Sequence, residues 1–321
     1  MNKPLVIHVG LSKTATTTLQ RAVFEKHSQI YYLGKIYKSP HPRQCISTEV
    51  HDFLSPLLWK LDQSLDADAH RRFFSETLQP AARTSTVILG SWEGLGDRDA
   101  ASFETSVTRL AEVTGGCKLM MSLRNPINRL PSNYLQHLRG NQKQLADRFV
   151  SFEEWLDQYS ETRGGFDELF IYSQNIETAI RILGKENVGI FVYEEYQAKP
   201  EQYLQRVSAF LGVEAEETIR LADNQHLHTR LFDSQVEKMK ELDSSFLGRL
   251  LWRLSNVDLK KKLVGFSDTE SVIESSVSGD KPASVDLSAD SIQRITEASR
   301  EDHQWLVNNL QLDLEQYDYP L

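Results

Sequence analysis

Cysteine is nearly absent from this chain, because Cys45 and Cys117 are the only two among 321 residues. Two cysteines are too few for a disulfide framework or a cysteine metal site, and they fit a reducing compartment. No run reaches the roughly 18 apolar residues that a membrane span requires. The first predicted strand begins at Leu5, which leaves no room for a signal peptide after Met1. These absences predict a cytoplasmic protein without a transmembrane segment.

Positive charge is also in deficit. The chain has 36 lysines and arginines against 45 aspartates and glutamates, a net charge of −9, which disfavours nucleic acid as a partner. The complete phosphate-binding pattern GxxxxGK[ST] is missing, since Lys13 precedes Ala15 and the threonines instead of following a second glycine. His226 and His228 form an H-x-H pair without a third nearby ligand, so no metal site is predicted.

The stretch LVIHVGLSKTATTTL, residues 5–19, is the feature around which the rest is organised. Leu5–Val9 is typical of a buried strand, Gly10 allows a turn, and the threonines at 16–18 suit the start of a helix. Lys13 and the unpaired N–H groups of a helix start form an anion cradle, for which phosphate is the best-fitting occupant. An ordinary strand-to-helix connection with a solvated lysine explains these residues almost as well.

Further strands are predicted at 30–33, 86–89, 118–123 and 188–192, with helices between them. This alternation predicts an α/β fold, with three α/β/α layers around a mainly parallel sheet. Such sheets bind ligands at the carboxyl ends of their strands. Lys13, Glu93 and Arg124 all follow predicted strands at that edge.

The segment LRNPINRLPSNY, residues 123–134, offers a second anion site. Arg124 supplies a planar fork of donors suited to phosphate, and Ser132 a hydroxyl. By itself this segment is better explained by a surface salt bridge for Arg124 and a helix interior for Ser132. Pro131 precedes Ser132 and predicts a kink that would shift the serine.

The two motifs together resemble the sulfotransferases that use 3′-phosphoadenosine 5′-phosphosulfate (PAPS). The first family motif, K-[TS]-[GA]-T-T, matches Lys13-Thr14-Ala15-Thr16-Thr17. The second, R-x-P-x-x-R-x-x-S-x-Y, matches Arg124, Pro126, Arg129, Ser132 and Tyr134. The segment FVYEEYQAKPEQYLQRVSAFLGV is similar to the family's strand–YED–helix–FLG segment.

The resemblance implies a P-loop-like fold, PAPS as co-substrate, 3′,5′-adenosine bisphosphate (PAP) as product, and no metal. The loop would hold the 5′-phosphosulfate through Lys13, Thr14, Ala15, Thr16, Thr17 and Thr18. Arg124 and Ser132 would hold the 3′-phosphate. Tyr193 would approach the adenine edge, with a core tyrosine as an equal alternative.

Ser91-Trp92-Glu93 directly follows a predicted strand, as in the glycan-type branch of the family, where a glutamate in an S-x-E setting is the base. Glu93 is therefore the predicted general base, with a helix-capping or salt-bridged acid as the alternative. The segment R-K-G-x-x-G-D-W-K of the cytosolic phenol and steroid branch is missing. The implied acceptor is a glycan, glycolipid or small molecule with a hydroxyl, or less readily an amine.

Residues 1–321 are expected to form one domain, with an α/β core at 1–213 and a helical extension at 214–321. The apolar stripe from Phe246 to Val257, with Arg249, Arg253 and Lys260–Lys262 beside it, is expected to pack on the domain; a membrane-surface or partner helix is the alternative. Residues 265–284 are a candidate lid. An ATP-dependent kinase and a non-catalytic nucleotide-binding protein stay open as alternative functions.

Overall fold

The structure is a computed structural model that describes residues 2–14, 16–35, 47–139, 149–170, 172–223, 231–264 and 281–321. Ala15, the histidines His226 and His228, and most of the candidate lid lie outside the described residues. The chain divides into two compact units. The first comprises Met1–Asn125, Ile171–Gln225 and Trp305–Asp318, and the second comprises Pro126–Phe170, His226–Gln304 and Tyr319–Leu321.

The first unit contains a five-stranded sheet. Its strands are β1 Leu5–Gly10, β2 Ile30–Lys35, β3 Val87–Ser91, β4 Cys117–Leu123 and β5 Val188–Val192. They lie in the order β2-β3-β1-β4-β5, and all four pairings are parallel. The chain moves outward on opposite sides of β1, so the carboxyl end of β1 is a topological switch point, where α/β sheets bind ligands.

The α-helices of the described residues are α1 Thr16–Thr18, α2 Thr48–Leu58, α3 Ala67–Phe73, α4 Gln79–Ala81, α5 Ala100–Thr114, α6 Pro126–Arg139, α7 Phe152–Glu161, α8 Ser173–Leu183, α9 Tyr193–Ala198, α10 Pro200–Leu211, α11 Ala215–Asp223, α12 Asp233–Ser244, α13 Phe246–Leu254, α14 Val257–Val264 and α15 Ala289–Leu310. Leu19–Phe24 and Phe74–Leu78 are π-helical. Short 3₁₀ turns occupy Glu93–Leu95, Asp167–Leu169, Lys185–Asn187 and Glu315–Tyr317. None of the helices in the described ranges has the length and apolar composition to cross a membrane.

The sheet is covered on both faces. Every residue of β1 is buried, as expected for a central parallel strand. On one face, Val6 packs with the π-helical segment Leu19–Phe24 and with α10 in a single apolar cluster. On the other face, α5 and α8 contact β4. The predicted α/β fold with a parallel central sheet is confirmed.

Local sequence signals define several helix ends. Asp99 accepts a hydrogen bond from the N–H of Ser102 and caps α5, and Gly115 follows α5 with φ 72°. A positive φ strains residues that have a Cβ, which explains glycine at this C-terminal position. Ser151 caps α7 by accepting from the N–H of Glu154, as its spacing predicts.

The second unit has its own apolar core, formed by helices α6, α7, α12, α13, α14 and α15. Tyr134 of α6 donates its hydroxyl to the carbonyl of Val150 at 2.7 Å. Arg129 is 1% exposed and donates to the carbonyl of Leu169 at 3.1 Å. Pro131 lies inside α6, which nevertheless runs unbroken from Pro126 to Arg139.

Candidate active site

The loop after β1 is held by its own side chains and by β4. Thr14 donates its hydroxyl to the carbonyl of Leu11 at 2.7 Å. The N–H of Leu11 donates to the backbone carbonyl of Ser122 in β4 at 3.0 Å. A Cβ on Gly10 would lie 2.7 Å from Cγ2 of Thr16 and 3.0 Å from Oγ1 of Thr14. Glycine is therefore required by close packing at the point where the strand turns.

Lys13 stands at the top of this loop with φ 70°. Left-handed backbone is strained for a lysine and is commonly found at ligand sites, where the surrounding structure fixes it. The helix that follows begins at Thr16, with Thr16 and Thr18 buried and Thr17 exposed. It continues as a π-helix over Leu19–Phe24, a conformation that is rare and recurs at functional sites.

Glu93 lies at the carboxyl end of β3, among donors from three other segments. Nζ of Lys35, the last residue of β2, lies 3.0 Å from Oε1 of Glu93. Nε2 of Gln20, in the π-helix, donates to the same oxygen at 3.2 Å, and the hydroxyl of Thr16 also binds the carboxylate. Only 22% of the Glu93 side chain is exposed.

This environment fixes the charge of Glu93. Burial raises the pKa of the carboxyl, but the charge of Lys35 and the hydrogen bonds from Thr16 and Lys35 lower it more, so the pKa lies below its ordinary value. Glu93 is therefore ionised at neutral pH and able to accept a proton. The ionised carboxylate can accept a proton, as a general base must, but its lowered pKa makes it a weaker base. The ion pair with Lys35 is also what the salt-bridged alternative predicts, and the general base stays a prediction.

His8 of β1 lies near Glu93 and Lys35 in the interior of the protein. It is fully buried, and its Nδ1 lies 3.3 Å from the hydroxyl of Ser91. Burial lowers the pKa of His8 to about 4, with opposing influences from Glu93 and Lys35. His8 is therefore neutral at pH 7, and Lys35 supplies the positive charge next to Glu93.

Arg124 joins the two sequence motifs. Its Nη1 donates to the carbonyl of Lys13 at 2.7 Å, and its guanidinium carbon lies 4.6 Å from the ring centre of Tyr193. The cation–π contact and the hydrogen bond fix the arginine across the end of the sheet. Lys13, Arg124 and Tyr193 are thus brought together, although Tyr193 itself is only 7% exposed.

The segment Tyr193-Glu194-Glu195 contacts the turn after β4 through hydrogen bonds. Glu194 accepts the N–H of Asn125 at 3.1 Å, and the Asn125 amide donates to the carbonyls of Tyr317 and Asp318 at 3.2 and 2.8 Å. Glu195 forms an ion pair with Arg206. Glu194 therefore holds the backbone of the turn that follows Arg124, whereas Glu195 connects α9 to α10 through Arg206.

Trp92 precedes the predicted base Glu93 and lies among other large side chains. It is 6% exposed, its ring centre lies 5.4 Å from that of Trp59, and the guanidinium of Arg98 lies 5.2 Å from the ring. Its burial and these two ring contacts indicate a role in packing.

Lys35 and Gln20 were not recognised from the sequence. Lys35 lies two residues after the predicted strand 30–33, near the carboxyl edge of the sheet, and this position is the available sequence signal. Ser132 belongs to the second unit, and its contact with a 3′-phosphate stays a prediction. No group of histidine, cysteine, aspartate or glutamate side chains within the described ranges could hold a metal ion.

The fold and this site define a P-loop-like α/β protein with a lysine-bearing loop, an arginine and a carboxylate at the switch point of the sheet. Residues 3–265 match the family described as "Sulfotransferase domain". The chain belongs to the sulfotransferase family and is an enzyme of that class. The predicted family is confirmed, while its glycan-type branch stays a prediction.

Several solved structures are similar to this chain at low identity. A sulfotransferase from Alicyclobacillus acidocaldarius is 19% identical over 83% of this chain and 98% of its own, with a TM-score of 0.47. A mouse sulfotransferase, SULT7A1, complexed with PAP is 13% identical over 71% of this chain and 66% of its own, with a TM-score of 0.42. A retinol dehydratase bound to androsterone and PAP is 15% identical over 99% of this chain and 82% of its own, with a TM-score of 0.36. Among curated proteins, no significant match was found.

Proposed function

We propose that this enzyme transfers a sulfuryl group from PAPS to a hydroxyl of a glycan, glycolipid or small molecule, with Glu93 as general base and Lys13 at the leaving phosphate. The observation that carries the proposal is the Glu93 carboxylate, which is held by Lys35, Gln20 and Thr16. The loop that bears Lys13 begins at the end of the adjacent strand. A helix cap alone does not account for the donors Lys35 and Gln20, and the transfer assay of Glu93→Gln distinguishes a base from a salt-bridged structural acid.

The donor chemistry at the end of the sheet fits a bisphosphorylated nucleotide. The β1 loop offers a lysine and the N–H groups of a helix start, and Arg124 contributes a guanidinium attached to the same loop. PAPS, when bound, supplies the activated sulfuryl group. Lys13, Thr14, Ala15, Thr16, Thr17 and Thr18 would hold its 5′-phosphosulfate, Arg124 and Ser132 its 3′-phosphate, and Tyr193 would border the adenine.

Lys13 stabilises negative charge at the leaving phosphate. A lysine about 4 Å from that oxygen, at an effective dielectric constant of about 20, contributes roughly 4 kcal/mol of Coulomb attraction. Only the part that grows as the old S–O bond breaks lowers the barrier. As in phosphoryl transfer, positioning and charge stabilisation carry most of the catalysis.

Glu93 takes the proton of the acceptor hydroxyl as the new S–O bond forms. Its lowered pKa keeps it ionised at neutral pH, and Lys35 and Gln20 fix the orientation of Oε1. The proton passes to the carboxylate and PAP leaves, so that charge and atoms balance without a metal.

The same proposal has three further parts. The enzyme belongs to the glycan-type branch, its acceptor is a neutral glycan, glycolipid or small molecule, and its location is cytoplasmic. The S-x-E setting of Glu93 supports the branch. The acidic net charge of −9 disfavours a highly sulfated polymer as acceptor.

Titration calorimetry of PAP against ATP tests the nucleotide. We expect PAP to bind and ATP to bind at least about tenfold more weakly, since ATP lacks a 3′-phosphate; a preference for ATP would instead support a kinase. A screen of acceptor classes with radiolabelled PAPS then identifies the product. Binding of PAP without any sulfated product would support a non-catalytic nucleotide-binding protein.

A further inference from the structure

Exposed apolar side chains are concentrated in one segment of the second unit. Eight large apolar side chains stand exposed in the described part of the chain, and six of them lie within 246–259: Phe246, Leu247, Leu250, Leu251, Leu254 and Leu259. Phe246, Leu247 and Leu254 are 72%, 75% and 76% exposed. Single exposed leucines are ordinary, whereas a contiguous patch marks a binding surface. The expectation that this stripe packs on the domain is therefore wrong.

The orientation of α13 is fixed by its other side. Gly248 and Trp252 are buried against the unit. A Cβ on Gly248 would lie 2.1 Å from the carbonyl oxygen of Leu242, so the backbone of α13 approaches α12 at a distance that only glycine allows. Rotating the helix to bury its leucines would bring a larger side chain to that contact.

The exposed side of α13 is a continuous apolar arc with a basic edge. At about 100° per residue, the five apolar side chains Phe246, Leu247, Leu250, Leu251 and Leu254 occupy an arc about 140° wide. Arg249 and Arg253 follow next to Phe246 around the helix, and both are exposed. Residues 245–264 hold five basic residues and one acidic residue in a chain of net charge −9. Lys262 is exposed like the two arginines, whereas Lys260 is buried with its Nζ 5.1 Å from the ring centre of Trp252.

This pattern is that of a helix that lies in a lipid surface. There, apolar side chains enter the boundary of the acyl chains, while arginines extend their charge to the headgroups. A basic edge is attracted by anionic lipids of the kind found in cytoplasmic leaflets. The strongly acidic remainder of the chain would be repelled from such a surface, so the local charge is matched to this partner.

A second copy of the chain fits the arc less well. A helix of nine residues is about 14 Å long, and one face of it falls short of the about 800 Å² per partner of a standard interface. Antiparallel two-fold pairing of the arcs would also bring their arginine edges towards each other. A lipid surface requires neither matched shape nor an opposing apolar patch.

We propose that α13 binds the surface of anionic membranes by inserting its apolar arc, so that the enzyme is a peripheral membrane protein. The inference is independent of the proposed sulfuryl transfer, because it rests on the second unit alone.

Vesicle co-sedimentation of the full chain tests the proposal. Wild type is expected to sediment with phosphatidylcholine vesicles that contain about one third phosphatidylserine, and at least tenfold less with phosphatidylcholine alone. Leu247→Glu/Leu254→Glu should reduce sedimentation with anionic vesicles at least tenfold. Both side chains are largely exposed, so the circular dichroism spectrum should not change. Arg253→Gln should weaken binding mainly at low salt.

Ile292→Glu is the matched control, since Ile292 is a 42% exposed apolar residue of α15, away from the arc in sequence. It should bind vesicles like wild type. The proposal is overturned if wild type stays in the supernatant with both vesicle types, or if Ile292→Glu loses as much binding as the double leucine variant. Light scattering provides a further test. If wild type is a dimer, the double leucine variant is a monomer and neither binds vesicles, a second copy of the chain covers the arc and the proposal is overturned.

Discussion

Replacing Lys35 with methionine tests how Glu93 is held as a carboxylate. The two groups lie 3.0 Å apart, with 28% of the Lys35 side chain and 22% of the Glu93 side chain exposed. Methionine keeps an unbranched apolar stem and removes the ammonium group. The pKa of Glu93 should rise towards its ordinary value of 4.5, since the charge of Lys35 is a main cause of its lowering.

The distance sets the size of the effect. At 3.0 Å the Coulomb energy is about 5.5 kcal/mol for an effective dielectric constant of about 20 and about 1.4 kcal/mol in bulk water. Partial exposure places the pair between these limits, and the desolvation of both charges offsets part of the gain. We therefore expect Lys35→Met to lower the free energy of unfolding at pH 7 by about 1–2 kcal/mol.

The sign of the pH dependence follows from the lowered pKa of Glu93. A carboxyl whose pKa is lower in the folded state stabilises the fold above its unfolded value, and this contribution is lost as the pH falls through the folded value. The difference between wild type and Lys35→Met should thus be largest near neutral pH and shrink below pH 4.5. The acid limb of the kcat/KM profile should move to higher pH in the variant.

Urea unfolding of Lys35→Met, Glu93→Gln and the double variant measures the coupling. An interaction energy of about 1–2 kcal/mol is expected, and additivity within about 0.5 kcal/mol would refute the reasoning. Lys240→Met is the matched control: Lys240 lies 2.7 Å from Glu237, but 49% and 62% of the two side chains are exposed. An exposed pair of this kind should contribute well below 1 kcal/mol.

Four further substitutions test the site. Glu93→Gln should lower kcat about 10²–10⁴-fold in a radiolabelled transfer assay while PAP binds as before, and undiminished product would remove Glu93 as base. Lys13→Ala should lower kcat about 10²–10³-fold, whereas an effect on KM alone would contradict a role at the leaving phosphate. Arg124→Ala should weaken PAP binding by about 1.5–3 kcal/mol in calorimetry, and unchanged affinity would exclude the 3′-phosphate contact. Gly10→Ala should destabilise the fold by about 1–3 kcal/mol in urea unfolding, because the new Cβ meets Thr16 at 2.7 Å; unchanged stability would show that the threonine yields freely.

The sheet was predictable because its signals are local. The strand Val188–Val192 has the predicted bounds, and the helix Pro200–Leu211 carries local signals at both ends. The strand reads as uninterrupted apolar residues because it is buried in a parallel sheet. The helix has proline at its first position and Gly212, with φ 72°, after its last. Neighbouring residues alone suffice for such elements.

The contacts within the site were not predictable in this way. Glu93 meets Lys35 and Gln20 across 58 and 73 residues, and Arg124 reaches the carbonyl of Lys13 across 111. Sequence order and strand polarity place all of these residues at one edge of the sheet. Which donor faces which acceptor depends on strand order, here β3 between β1 and β2, and no local pattern encodes that order.

The helix α13 shows how a residue of low helix propensity can carry the missing information. Its apolar periodicity is the same whether the leucines face the protein or the solvent. Periodicity alone therefore leaves only the usual expectation, which is that an apolar stripe packs on the protein. Gly248, however, is the third residue of the helix, and glycine has a low helix propensity, which indicates a packing reason for its presence. That reason is the close approach to Leu242, and it places the docking side at Gly248 and Trp252. The leucines on the other side of α13 therefore face outward.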